Sequence, residues 1–350
     1  MSTVRILHAI RSDGFAGVEQ LVLRLAIAQA DAGSTVHVIG GDPARMARPL
    51  ADAGVRHTAT ADRAWAVAQA IHRHAGDADI VNSHMTAADV AASVALAGLR
   101  DAPPLVSTRH FARRRGRLAA LPVGRVVASR ISAEIAISEA VAAAIEGPST
   151  VVHPGVPKRD AVDHAARHRT VLVAQRLEPE KRTRMAMEVF AASGVARDGW
   201  RLMIAGEGVE RLLLETTAAE LGLTDVVTFL GFRTDVPNLM DAAGLLLATA
   251  EFEHFGLTVL EAMASGLPVV ASDAGGHRET LSNLDPRVLF PVDDIAGAAR
   301  RLRELVSDSD GRHRLGDAER RRQQSAFSLD AQREATEAVY RRSMTLPGRR

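Results

Sequence analysis

Short apolar runs without polar gaps alternate along this chain with longer segments whose apolar residues recur at helical spacing, and few architectures accept that order. In the first half the runs are Val4–Ile10, Val36–Ile39, Val55–Thr58, Ile80–Ser83, Leu105–Thr108 and Glu134–Ile137. Helical patterns lie between them; Val18–Ala32 follows the first run and stops at Gly33. Repeated strand, loop, helix, strand order implies a parallel sheet with right-handed crossovers. His153-Pro154-Gly155-Val156-Pro157 interrupts the pattern, and a charged stretch follows to Arg169. A second series begins at Val171–Ala174 and continues through Leu202–Ala205, Val226–Leu230, Leu245–Thr249, Val269–Ala271 and Arg287–Leu289. The expectation is an α/β chain of two doubly wound domains, 1–157 and 158–328, followed by a tail, 329–350, in which Leu329–Met344 reads as helix. Open parallel sheets bind ligands at the carboxyl ends of their strands, so the site is expected in a central cleft faced by both sheets.

Composition narrows the function. The 350 residues suffice for two cores, and the absence of cysteine removes disulfides, thiolate metal sites and cysteine nucleophiles together. No uncharged stretch approaches the roughly 20 residues of a membrane helix. The opening MSTVRILHAI reads as a first strand rather than a signal peptide, and the expected location is cytoplasmic. A formal net charge of +1 gives no global case for nucleic acid as a partner. Locally, Arg109, Arg113, Arg114, Arg115 and Arg117 form a basic cluster, and Arg341, Arg342, Arg349 and Arg350 form another. Each reads as a solvated face or tail; the first reads alternatively as a peripheral contact with an anionic membrane surface or an anionic acceptor.

The stretch Glu251–Ser272, EFEHFGLTVLEAMASGLPVVAS, combines a loop, a helix opened by Gly256, and a buried strand. Glu253 precedes the helix, and Glu261 lies within it among apolar neighbours. Such a carboxylate needs a partner, either a basic side chain or a hydroxyl-rich ligand. The turn Phe255-Gly256-Leu257-Thr258 offers free backbone N–H groups to a phosphate. A carboxylate one turn further in suits the hydroxyls of a ribose. At the start of the second series, Arg176 and Lys181 stand at a strand end and a helix start. There they would hold a diphosphate, or else bridge to Glu178 and Glu180 on the surface.

Taken whole, the run from Glu253 through E-H-F-G-L-T-V-L-E-A-M-A-S-G-L-P-V-V-A-S resembles the signature of retaining glycosyltransferases of family four, which have the two-domain GT-B fold. The resemblance implies that Glu261 holds the ribose, Glu253 the donor sugar, and Arg176, Lys181 and the Gly256 helix start the diphosphate. Gly206-Glu207-Gly208 resembles the family's donor-side loop, and Phe229–Arg233, including Phe232, the seat of the base. Gly275, Gly276 and Glu279 resemble its glycine pair and following glutamate, with Arg278 in place of a proline. In the first domain Gly17, Val18 and Glu19 match the family's phosphate loop, although Ala16 replaces its first glycine and Gly14 is a weaker match. Arg182 likewise stands where the family usually has glycine. Thr108-Arg109-His110 resembles the strand-end histidine that orients the donor sugar.

Of the thirteen histidines, His84 also follows a strand, whereas His72 and His74 face apart on one helix. Asp77-Ala78-Asp79 and Asp308-Ser309-Asp310 have the Asp-x-Asp form of metal-dependent transferases, but neither falls at the expected site. The expectation is therefore a metal-independent retaining hexosyltransferase that needs no cofactor. It moves sugar from a UDP- or GDP-hexose to a hydroxyl acceptor, whether glycan, lipid-linked or small molecule. A sugar-nucleotide epimerase of the same fold is the alternative. An NAD(P)-dependent oxidoreductase is disfavoured, because no Gly-x-Gly-x-x-Gly follows the first strand.

Overall fold

The computed structural model describes residues 3–60, 62–116 and 123–345. Its described residues form two compact units. One holds the residues up to Gly155 together with the helix Leu329–Thr345, and the other is Val156–Ser328.

The first unit contains strands β1 (Arg5–Ile10), β2 (Thr35–Ile39), β3 (Arg56–Thr58), β4 (Ile80–His84), β5 (Leu105–Arg109), β6 (Ile131–Ala136) and β7 (Thr150–Val151), in the order β3-β2-β1-β4-β5-β6-β7. Every pair is parallel. Ile6 and Ile10 of β1 point to one face, among Val22, Val38 and Tyr340; Leu7 and Ala9 point to the other, among Val67, Ile71 and Ala92. Side chains alternate along a strand, so a sheet covered by helices on both faces reads as unbroken apolar runs. The helix Leu329–Thr345 belongs to this core. Tyr340 is fully buried, and its hydroxyl accepts from Asn82 Nδ2 of β4 at 2.6 Å.

The second unit repeats the plan with β8 (Thr170–Ala174), β9 (Arg201–Ala205), β10 (Val227–Gly231), β11 (Leu245–Ala248), β12 (Val269–Ser272) and β13 (Leu289–Phe290), ordered β10-β9-β8-β11-β12-β13. Both sheets are thus doubly wound, and each chain path reverses direction beside its first strand.

The basic cluster requires a correction. Arg115 is buried, with Nε 2.9 Å from Asp89 Oδ2, and neither side chain reaches solvent. It also donates to Ser107 Oγ at 3.0 Å and to Glu134. Arg109 is buried too, 3.2 Å from Glu134 and 3.6 Å from Glu146. The carboxylates of β6 and of the helix Met85–Leu96 draw both guanidiniums into the fold. Arg113 and Arg114 are exposed, and Arg117, Arg349 and Arg350 lie outside the described residues. Among the described residues no helix is long and apolar enough to cross a membrane.

In the second unit, Glu319 of the helix Ser309–Ala326 is fully buried behind β12. Its Oε1 accepts from Val269 N at 3.3 Å, and Oε2 has no hydrogen-bond partner among the described residues. Burial pushes this carboxyl well above its ordinary range, and nearby Asp285 adds to the shift. A raised folded-state pKa favours the fold below the unfolded value and loses that advantage as pH rises through the folded one. Glu319→Gln, which cannot ionise, is expected to stabilise the protein by about 1–3 kcal/mol at pH 8 and to flatten the dependence of Tm on pH above 5. Calorimetric melting across pH 5–9 checks this; parallel curves for the two proteins would contradict it.

Candidate active site

In the second sheet β8 and β11 are neighbours, but the loops leaving them run in opposite directions. Reversal at such a point leaves a crevice outside the carboxyl ends of the two strands. A pocket lies there, walled by Ala174 and Gln175 after β8 and by Ala248 and Ala250 after β11, with Lys181, Glu253, Gly256, Thr258 and His277 at its polar side.

Lys181 ends a short turn, Pro179–Lys181, and local hydrogen bonds hold it in place. Its carbonyl accepts from Gln175 Nε2 at 3.0 Å and from Thr249 Oγ1 at 3.2 Å. Its ammonium lies 2.6 Å from Glu253 Oε2, with both side chains mostly shielded from solvent. Burial favours the neutral acid at Glu253, but Lys181, His277 and His254 outweigh it and hold the carboxyl below its ordinary range. Gly276 N donates to the Glu253 carbonyl at 2.9 Å, tying the loop to the next helix. His277 is 2% exposed, and burial lowers its pKa. Its Nδ1 lies 3.2 Å from the Ser272 carbonyl, which directs the other ring nitrogen toward Gly256.

The helix Leu257–Ala264 begins at Gly256, which has no side chain with which to cap it. The first N–H groups of a helix lack intrahelical acceptors, so they are available to an anion, and the helix dipole favours one. Gly256 has φ of +94°, and a Cβ there would lie 2.8 Å from His277 Cδ2. Gly256→Ala is therefore expected to displace the helix start from His277 and to weaken nucleoside diphosphate binding by tenfold or more, measured by calorimetry. Affinity within twofold of wild type would show that the turn tolerates the change.

The sequence-derived residues divide. Lys181, Glu253, Gly256 and Thr258 line the one pocket, with Leu257 beside them in the helix start. Arg176 follows the pocket residue Gln175, but its guanidinium is mostly exposed and pairs with Glu180 at 2.8 Å. Gly206 packs onto this segment: a Cβ there would collide with the Gln175 carbonyl oxygen, and Leu177 N donates to Glu207 O at 2.8 Å. Phe255 contributes backbone only, since its buried ring meets Phe327 edge-on at 6.0 Å. Glu261 sits half-buried one turn beyond Thr258, and Phe232 is 59% exposed after β10. Arg182 adopts the left-handed φ of +52° that glycine would take freely. Its guanidinium is anchored 2.7 Å from Asp293 and 3.1 Å from the Val292 carbonyl.

Gly17 and His110 belong to the first unit. Gly17 opens the helix Gly17–Asp31, where the Glu19 carboxylate accepts from Ala16 N at 2.9 Å and so closes the first turn. His110 is 4% exposed and lies just beyond β5, within reach of His84. The Asp-x-Asp pairs serve the fold: Asp79 pairs with Arg5 at 2.6 Å, and Asp308 caps the helix Ser309–Ala326 through Gly311 N. Sequence reasoning passed over His277 and Gln175. Their signals were a histidine directly after the glycine pair and a polar residue directly after an apolar strand.

Residues 15–159 match the family model described as Glycosyltransferase Family 4, and residues 157–322 match that described as Glycosyl transferases group 1. Among solved structures, Anabaena Alr3699/HepE in complex with UDP superposes with a TM-score of 0.81 at 21% identity, covering 97% of this chain and 100% of that one. The lipopolysaccharide core biosynthesis mannosyltransferase LpsB of Rhizobium meliloti is 28% identical over 233 residues, 60% of this chain and 66% of that protein. The 2-deoxystreptamine glucosyltransferase of Streptomyces kanamyceticus is 32% identical over 135 residues, 38% of this chain and 35% of that protein. The chain thus matches just under two thirds of the first of these curated relatives and about a third of the second. With two doubly wound parallel sheets and adjoining matches that reach from residue 15 to residue 322, the chain belongs to glycosyltransferase family 4 and has the GT-B fold.

Proposed function

We propose that this glycosyltransferase moves a hexose from a UDP- or GDP-hexose to a hydroxyl acceptor with retention of configuration. The observation that carries this reading is the convergence of a shielded cation, Lys181, an ionised carboxylate, Glu253, and the uncapped helix start Gly256–Thr258 on one pocket at the reversal point of the sheet. A diphosphate complements the cation and the N–H groups, and a sugar hydroxyl donates to the carboxylate. Solved neighbours in complex with UDP and with UDP-glucose support a nucleotide sugar as donor.

In the reaction the bond from the anomeric carbon to the leaving phosphate oxygen breaks and a bond to the acceptor oxygen forms on the same face. The acceptor proton passes to the departing phosphate. Lys181 and the helix start stabilise the charge that grows on the leaving group, and Arg176 joins them by turning from Glu180. Glu261 holds the ribose, and Phe232 lies at the base. With positive charge supplied by side chain and helix, no metal or other cofactor is required. The acceptor is a glycan, a lipid-linked sugar or a small hydroxyl compound.

Incubation with UDP- and GDP-hexoses and a panel of acceptors tests the reading, with the product anomer assigned by proton NMR. The expected product keeps the donor's configuration and forms at the same rate in EDTA. Inversion, loss of activity in EDTA, or epimerised donor without acceptor would each overturn the corresponding part.

A further inference from the structure

Three histidines from neighbouring strands of the first unit form a continuous hydrogen-bonded row. His8 of β1 lies with Nδ1 3.0 Å from Nε2 of His84 at the end of β4. His84 Nδ1 lies 3.0 Å from Nε2 of His110 beyond β5. At the inner end, His8 Nε2 is 2.7 Å from Oε1 of Gln29 in the helix Gly17–Asp31. All four side chains are 4% exposed or less. At the outer end His110 Nδ1 is buried, lines a small cavity with Thr108, Leu21, Ile137 and Val152, and has no hydrogen-bond partner among the described residues.

Burial keeps the row uncharged, lowering His8 to about 4 and His110 to about 3, with His84 also well below its ordinary value. A neutral imidazole carries one N–H and one lone pair. Each ring-to-ring contact needs one of each, so the row has only two consistent proton arrangements, running in opposite directions. With Oε1 as the Gln29 atom that faces His8, the amide can only accept there, and this orientation selects between them. His8 then donates from Nε2, His84 donates from Nε2 to His8, and His110 donates from Nε2 to His84. This leaves His110 Nδ1 as a bare acceptor at the cavity. A metal site is not the purpose of the cluster, since its other ring nitrogens are used in pairs, and the described residues hold no metal-binding group.

We propose that Gln29, His8 and His84 are positioning residues that hold His110 in its Nε2–H form, so that the cavity accepts a hydrogen bond from a substrate hydroxyl and rejects a group that can only accept. The identification of that hydroxyl as a sugar's rests on the function proposed above; the proton arrangement does not.

Long-range proton–nitrogen NMR of the histidine-labelled, substrate-free protein tests the arrangement directly. The expected spectrum has His110 protonated at Nε2 and bare at Nδ1. Gln29→Leu, which removes the selecting acceptor, is expected to mix the two forms. With whichever UDP- or GDP-hexose is turned over, Gln29→Leu is expected to raise KM roughly three- to tenfold with kcat little changed. A protonated His110 Nδ1 in the wild-type protein would overturn the proposal, as would an unchanged KM in a Gln29→Leu protein whose tautomers are mixed. If the expected spectrum appears but no nucleotide sugar is turned over, the row stands and the proposed reaction fails.

Discussion

Lys181→Ala is expected to lower kcat by about two to three orders of magnitude, comparable to the loss of one preorganised group that stabilises charge in a transition state. The Gln175 and Thr249 side chains hold the Lys181 carbonyl and the 2.6 Å contact with Glu253 holds its ammonium, so little reorganisation is needed when a leaving phosphate develops charge. The same change strands Glu253. A mostly buried carboxylate deprived of its cation destabilises a fold by about 3 kcal/mol. The two effects separate in a double substitution: Lys181→Met with Glu253→Gln should recover most of the stability, measured in urea, without recovering turnover. A kcat within twofold of wild type for Lys181→Ala would remove this residue from the leaving-group role.

Arg115→Met is expected to have the largest effect on stability. Arg115 and Asp89 have no solvent access, and the guanidinium also serves Ser107 and Glu134. Removing one member of such a pair leaves a buried charge without compensation, at a cost of about 3–5 kcal/mol. For a unit of this size that corresponds to a fall in Tm of roughly 10 °C. Asp89→Leu added to Arg115→Met should restore part of the loss, because the penalty comes chiefly from the uncompensated carboxylate. Segment 110–116 carries His110 and is anchored by Arg115, so the single variant should also lose affinity for substrate. A melting temperature unchanged by Arg115→Met would show that the network is slack.

The parallel sheets were legible in the sequence because strands buried on both faces leave unbroken apolar runs, and those of β1, β2, β8 and β12 could be placed within about a residue. The two-residue β7 was not, since two residues carry no period. The strand-end rule drew attention to the loops after β8 and β11, where Lys181 and Gly256 share a pocket. It could not show that Arg176 turns to Glu180, because direction at an exposed strand end is decided by the neighbouring carboxylate. Arg109 and Arg115 were misread as surface charge: five arginines in nine positions look like a solvated patch until β6 supplies Glu134. His8 was hidden inside an apolar run, and Gln29 inside a helix. Their meaning depends on which strands lie side by side, a property of topology rather than of local pattern. Arg182 shows the reverse case, where a side chain anchored to Asp293 occupies a conformation for which local preference favours glycine.

A crystal structure of the protein with UDP or GDP bound is the most direct test of where the donor lies. The expected result places an oxygen of the terminal phosphate within about 3.2 Å of Lys181 Nζ and of the N–H of Leu257 or Thr258. A diphosphate bound away from the loops after β8 and β11, with Lys181 still engaged by Glu253 alone, would contradict it.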